Sequence, residues 1–299
     1  MTTSENASLA VPVVSARGLR KRFGRTEVLH GLDFDIPPGR IYGLVGHNGA
    51  GKTTTLNAIL GLSSYEGTVR VLGEDPFQRR ARLMENVAFI SDVASLPRFL
   101  RVRELFALLT NIHPNFDQKK ARSFLEGTDV KMEQRIKNLS KGMIAQLHLA
   151  VVMAIDAKLL VLDEPTLGLD ITYRKRFYRR LLEDYMTEER TLLITTHQVD
   201  EIEFMLSDIM FIRDGELVLH MQMETVSTKY VQLVVADNNL VAAAREHRPI
   251  FAETRFGQTV MVFEGVDRDL LSAYGAVSTP TLSDLFVALM QRDPGAGAP

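Results

Sequence analysis

The 299-residue sequence predicts an α/β fold. Its core is an apolar, mostly parallel sheet with a β-subdomain and a helical subdomain, and a small α+β appendage follows at the C-terminus. Three observations lead there. Gly46-His47-Asn48-Gly49-Ala50-Gly51-Lys52-Thr53-Thr54 meets the phosphate-binding pattern G-x-x-x-x-G-K-[ST], after an apolar strand (Ile41–Val45) and before a helix (Thr54–Leu60). Leu159–Leu162 and Thr191–Thr195 are too apolar for strands with a wet face, as in parallel sheets covered by helices on both sides. Beyond about Met221 a new β-rich segment begins, with strands at Lys229–Ala236 and Gln258–Phe263.

Taken in order, residues 1–10 are expected to be a flexible start. Short strands then alternate with turns: Val11–Ser15, Asp33–Ile36, Arg40–Val45 and Gly67–Leu72, with Pro37-Pro38-Gly39 as a turn between two of them. From about Pro76 to Leu149 the apolar spacing becomes helical, through Val102–Ile112 and Asp117–Leu125, and a helical subdomain is expected over about 92–150. A helix around Tyr173–Tyr185 separates the two later apolar strands. The main domain is thus expected over 11–221 and an accessory domain over 222–292. A helix Thr281–Gln291, with Thr281 and Asp284 spaced as a capping box, closes the latter. The tail Asp293-Pro-Gly-Ala-Gly-Ala-Pro299 has the composition of a disordered end.

Composition excludes several chemistries. There are no cysteines, which removes disulfides, thiolate metal sites and cysteine nucleophiles. A formal net charge of -2 exerts no general pull toward nucleic acid or anionic lipid. No apolar run approaches the roughly 18 residues of a membrane span. Met1–Ala10 also lacks the basic and apolar stretches of a secretory signal. If the protein works at a membrane, a different chain is expected to carry the span.

The phosphate-binding loop specifies a site. Its glycines let successive N–H groups turn inward toward phosphate oxygens, and the following helix adds its positive end. Lys52 is placed to reach β- and γ-phosphates, and the Thr53 hydroxyl to hold Mg²⁺. Asp163 and Glu164 end the strand Leu159–Leu162 as adjacent carboxylates. The first is the candidate metal ligand; the second, the candidate general base that polarises a water.

The chain resembles the nucleotide-binding subunit of an ABC transporter over about Val11–Met221. Leu139-Ser140-Lys141-Gly142-Met143 is similar to the family's signature sequence, Thr166-Leu-Gly-Leu-Asp170 to its D-loop, and His197 to its switch histidine. Phe23, in Lys21-Arg-Phe-Gly24, lies where the family stacks a ring on adenine. The resemblance implies a P-loop NTPase core of the ABC ATPase type with ATP and Mg²⁺ as cofactors. Two subunits, identical or merely similar, would pack head to tail and sandwich two ATP molecules. Ser140 and Gly142 of one would grip a γ-phosphate held by the other, and His197 would position water. Three positions depart from the family. Asp92 lies where a metal-touching Gln is usual and is a candidate metal ligand unable to donate amide hydrogen bonds. Lys141 replaces a Gly and Met143 a Gln, leaving Ser140 and Gly142 in place.

The expected function is therefore an ATPase subunit that powers transport, in the direction of export, from the cytoplasmic face of the plasma membrane. Its partner would be an integral membrane permease, whose short cytoplasmic helix would dock near Leu96-Pro-Arg-Phe-Leu100. No nucleic-acid partner is expected, because Arg174-Lys-Arg-Phe-Tyr-Arg-Arg180 is balanced by nearby acids. Two other readings stay open: a soluble ATPase of the same fold acting on ribosomes or DNA, and a regulatory subunit that binds ATP without turnover. The single cassette and short Thr53–Leu139 interval weigh against the first, and the intact Glu164 against the second.

Overall fold

The computed structural model describes residues 11–91, 96–187, 189–236, 241 and 244–291. The chain runs through β1 (Val14–Phe23), β2 (Thr26–Ile36), β3 (Ile41–Val45), α1 (Lys52–Ile59), β4 (Glu66–Val71), α2 (Arg80–Leu83) and β5 (Val87–Ile90). A helical portion follows, α3 (Val102–Ile112), α4 (Gln118–Leu125) and α5 (Lys141–Met153), then β6 (Leu159–Asp163), α6 (Ile171–Arg180) and β7 (Thr191–Thr196). Next come β8 (Asp208–Arg213), β9 (Glu216–Gln222), α7 (Met223–Lys229) and β10 (Tyr230–Val235). The last elements are β11 (Phe251–Arg255), β12 (Gln258–Glu264), α8 (Arg268–Ser272), β13 (Ala276–Ser278) and α9 (Leu282–Gln291).

Six strands form the central sheet in the order β5-β6-β7-β3-β8-β9, parallel except for β9. Their unbroken apolar runs have a simple cause: alternate residues serve two different cores. Leu160, Leu162, Leu192 and Ile194 face a core shared with Phe106, Leu147 and Phe177 of the helices. Leu159, Val161 and Leu193 face the opposite core, filled by Leu56 and Ile59 of α1 and by Val14 and Val69 of the antiparallel sheet β2-β1-β4. Each fully buried Leu or Val of this kind contributes about 1.5–3 kcal/mol.

The first strand is longer than the Val11–Ser15 expected from sequence. It begins at Val14 and continues to Phe23. The charged run Arg17–Arg22 hid it, because those charges are paired across the ladder. Arg17 meets Asp35 at 2.5 Å, and Arg20 and Arg22 share Glu27 at 2.9 and 2.7 Å. The helical expectations at Val102–Ile112 and Asp117–Leu125 match α3 and α4, and the Asp117 carboxylate caps α4 through the N–H groups of Lys119 and Lys120. The hairpin β8–β9 and helix α7 were not foreseen. The expected flexible start, the C-terminal tail and Asp92 all lie outside the described residues.

Strands β11-β12-β10-β13 form a separate antiparallel sheet around a small core that includes Leu233, Met261, Phe263 and Leu271. The final helix nevertheless buries Leu282, Leu285 and Leu289 in the main core. Thr281 starts it, accepting from the Asp284 N–H at 3.1 Å and donating to the Asp284 carboxylate at 3.0 Å. The Leu282 N–H donates to both Glu203 oxygens, at 3.3 and 3.4 Å, and the Ser283 hydroxyl donates to Asp200 at 3.1 Å. At the other end the Arg213 guanidinium donates to the carbonyls of Leu289 and Met290.

Burial raises the Glu203 carboxyl above its ordinary value, the Leu282 N–H opposes that shift, and Asp200 and Asp284 add to it. A raised folded-state value means a contribution that is present at low pH and lost as pH rises through that value. Glu203→Gln keeps an oxygen for the Leu282 N–H. Relative to it, the native chain is expected to gain stability between about pH 7 and about pH 4. Urea midpoints of both proteins at the two pH values check this, and a constant difference would contradict it.

Candidate nucleotide site

The parallel register brings the ends of β3, β7 and β6 together: Val45 pairs with Thr196, and Asp163 with Thr195. In such sheets ligands bind beyond the carboxyl ends of the strands, where these loops meet. Between β3 and α1 the loop 46–51 is shaped by glycine. A Cβ on Gly46 would stand 2.5 Å from the Ile212 carbonyl oxygen. Gly51 has φ 110°, a left-handed geometry hostile to side chains, and it caps α1. The hairpin turn between β8 and β9 supports the loop from behind. Gly215 N–H donates to the Ala50 carbonyl at 3.0 Å, and a ring nitrogen of His47 meets Asp214 at 3.2 Å. Asn48 and Gly49 are exposed at the tip, and Thr54 is half-buried on α1.

Lys52 is only 7% exposed. Its ammonium donates to the carbonyls of Gly46 at 2.7 Å and His47 at 3.3 Å, folding back over the loop. Burial pushes its pKa down, and the nearby Glu164 and Asp163 carboxylates oppose that. Asp163, 2% exposed, accepts from the Thr53 hydroxyl at 3.0 Å and from the Thr195 hydroxyl. Glu164 follows at φ 47°, and its N–H donates to the Thr195 carbonyl at 3.1 Å. A non-glycine residue in that region costs roughly 1–2 kcal/mol, and such strain is concentrated at functional sites. The turn aims the Glu164 carboxylate at His197, whose Nδ1 lies 2.9 Å from Oε1.

Lys52, Thr53, Asp163, Glu164 and His197 thus form one cluster, as the sequence implied. Phe23, Ser140 and Gly142 stand outside it. Phe23 ends β1, 55% exposed, with the Lys21 ammonium 5.0 Å from its ring centre. Ser140 is the N-cap of α5 and accepts from the Met143 N–H at 3.2 Å. A Cβ on Gly142 would meet nothing within 4 Å, so no contact within the chain requires glycine there. Asp92 lies outside the described residues.

A family model described as "ABC transporter" matches residues 29–167. Over 213 residues the chain is 34% identical to the Nod factor export ATP-binding protein I of Burkholderia lata, covering 69% of this chain and 70% of that one. The chain belongs to the ABC transporter family, among its ATP-binding proteins. It is also 26% identical over 253 residues to the ABC transporter ATP-binding protein YtrB of Bacillus subtilis, covering 84% and 86% of the two chains. A solved structure of an ATP-binding subunit of an ABC transporter shares the fold. Its TM-score is 0.66 at 20% identity, and the match covers 72% of this chain and 91% of that one.

As an ABC protein the chain binds ATP and hydrolyses it to power transport. Subunits of this kind pair with membrane components, and no helix among the described residues is long and apolar enough to cross a membrane. The two departures in the signature are harmless to its backbone. Lys141 is the exposed first residue of α5, and Met143 contributes its N–H, which any residue but proline supplies.

Sequence reasoning overlooked Thr195, Asp214 and Tyr178. Thr195 is buried in a strand, and only the β6–β7 register reveals that its hydroxyl meets Asp163. Tyr178 holds the loop after Glu164, its hydroxyl 3.1 Å from that of Thr166, and burial pushes the phenol up to about 12, so it stays neutral. Asp163→Asn leaves one acceptor oxygen for two hydroxyls. It is expected to cost about 1–3 kcal/mol of stability without nucleotide, as a buried polar group loses its partner. Denaturant titration of the nucleotide-free protein measures it; an unchanged midpoint would show that Asp163 is not holding both threonines.

Proposed function

We propose that this chain is the ATP-hydrolysing subunit of an ABC exporter, seated on the cytoplasmic face of the membrane and working as a head-to-tail dimer with itself or a similar subunit. The observation that carries the reading is the 2.9 Å contact between Glu164 and His197, beside Thr53 and Asp163 at 3.0 Å. Glu164 is the general base for the attacking water, and His197 orients that water and the γ-phosphate. Lys52 neutralises the β- and γ-phosphates once it leaves the Gly46 and His47 carbonyls.

Hard oxygen donors, one carboxylate and one hydroxyl, are the set that Mg²⁺ takes alongside phosphate oxygens and water. Asp163 and Thr53 would hold it, and Asp92 is a further candidate. Bound Mg²⁺ supplies charge neutralisation at the phosphates. The loop residues from Gly46 to Thr54 cradle the phosphates, Phe23 stacks on adenine, and the exposed Ser140 and half-buried Gly142 reach the nucleotide of the opposite subunit. Residues 11–221 form the ATP-binding domain in this reading, and 222–292 the accessory one. The direction rests on the export named for the Burkholderia lata relative.

Docking of the membrane partner falls to Phe99, which is 72% exposed. Leu100, expected from the sequence to share that docking, packs against the helical core instead. Phe99→Asp is therefore expected to abolish coupled transport while ATP binding stays within about twofold. Leu100→Asp is expected to lower stability itself. Transport retained in the Phe99 variant would remove the docking role.

The reading as a whole is tested by affinity capture from detergent-solubilised membranes, using Glu164→Gln with ATP. This variant is expected to lose turnover by at least about a hundredfold while still binding ATP, and to recover a multi-span membrane protein in stoichiometric amount. Recovery of ribosomes or nucleic acid would favour the soluble ATPase. Turnover at the native rate would remove the role of Glu164.

A further inference from the structure

The Glu164–His197 contact joins two loops that leave neighbouring strands, and a second bridge joins the same loops from behind. Arg174 lies on the second turn of α6, with its side chain 20% exposed. Its Nε donates to the Leu169 carbonyl at 2.8 Å, in the loop that follows Glu164. Its Nη1 donates to Gln198 Oε1 at 2.8 Å and to Glu201 Oε1 at 2.5 Å, in the turn that follows His197. One planar guanidinium therefore spans both loops, which the point charge and single stem of a lysine do not do.

The helix that carries Arg174 is itself registered to the Glu164 loop. Asp170 caps it by accepting the Tyr173 N–H at 2.9 Å, and Tyr178 meets Thr166 in the buried interior. On the other side, Gln198 is the immediate neighbour of His197, and its N–H donates to the Thr196 hydroxyl at 2.9 Å. The Arg174 bridge thus ties the segment after His197 to the loop after Glu164, through contacts that lie away from the phosphate loop and α1.

We infer that Arg174 is a positioning residue for ATP hydrolysis, setting the distance between Glu164 and His197 by tying the loops behind them. The inference rests on the roles proposed above for those two residues. It assigns Arg174 no contact with nucleotide or water. Misplacement of a reacting group by about 1 Å costs on the order of a hundredfold in rate, so a bridge of this reach suffices to matter.

Steady-state ATP hydrolysis and calorimetric ATP binding on the full chain test it. For Arg174→Ala, kcat is expected to fall about 10- to 100-fold, with the ATP dissociation constant within about twofold of native. Arg174→Lys keeps charge and stem packing, guards against a folding failure of the alanine variant, and is expected to remain at least about threefold below native in kcat. The double variant Arg174→Ala, Glu201→Ala is expected to lose no more than about what Arg174→Ala alone loses, because both remove one bridge. A kcat within about threefold of native for both Arg174 variants overturns the inference. So does a loss of ATP affinity that parallels the loss of rate, which would mark a general loosening, and so do losses that multiply in the double variant. Glu164→Gln separates the two levels. If it hydrolyses ATP at the native rate, the site roles fail; if it is inactive while the Arg174 variants are fully active, only the bridge fails.

Discussion

A buried carboxylate that accepts from two threonines is the constraint on which the site depends. Asp163 ends β6, Thr195 is the penultimate residue of β7 and Thr53 lies in the first turn of α1, so their hydrogen bonds fasten three elements at the carboxyl edge of the sheet. A carboxylate buried to 2% exposure persists only when its oxygens are occupied, and here both are. The next residue of the chain takes a left-handed turn, and the turn delivers Glu164 to His197. The strand register places this group, and the phosphate loop and the acid–histidine pair meet at it.

Much of this was legible in the sequence because the residues that carry it are chemically conspicuous. The glycine spacing around Lys52, the adjacent acids after Leu159–Leu162 and the capping-box spacing of Thr281 and Asp284 each have a local meaning that needs no tertiary context. The Asp163–Thr53 contact could be anticipated from the need for an acid beside the loop. What stayed hidden depended on partners far away in sequence. β1 was truncated because its arginines look like a solvated loop until Asp35 and Glu27 are opposite them. Thr195 and Tyr178 are ordinary residues in ordinary elements until β6 lies beside β7. The left-handed φ of Glu164 has no signature at all, since it is imposed by the surrounding strands and not by any preference of glutamate.

The docking region shows the same limit at finer grain. Phe99 and Leu100 are adjacent apolar residues whose joint exposure sequence could suggest. The fold assigns them opposite tasks, one ring to the surface and one side chain to the helical core. Apolar content marks a segment as a contact surface; only packing says which half is already taken.

The two ends of the site are not equally buried. Asp163 and the phosphate loop are held by strand ladders, a buried helix and an interior carboxylate. The two turns after His197, Val199–Glu201 and Glu203–Met205, are single 3₁₀ turns that bury Val199, Ile202 and Met205 in the main core and are also held from outside. Arg174 of α6 takes Gln198 and Glu201, while α9 takes Asp200 and Glu203 through Ser283 and the Leu282 N–H. These hydrogen bonds contribute about 0.5–1.5 kcal/mol each, on top of the burial of Val199, Ile202 and Met205. Elements that move during function are drawn from the least stable parts of a fold. The Glu164 side chain is 16% exposed and that of His197 41%, an asymmetry suited to a site in which the base must always be in place but the γ-phosphate comes and goes.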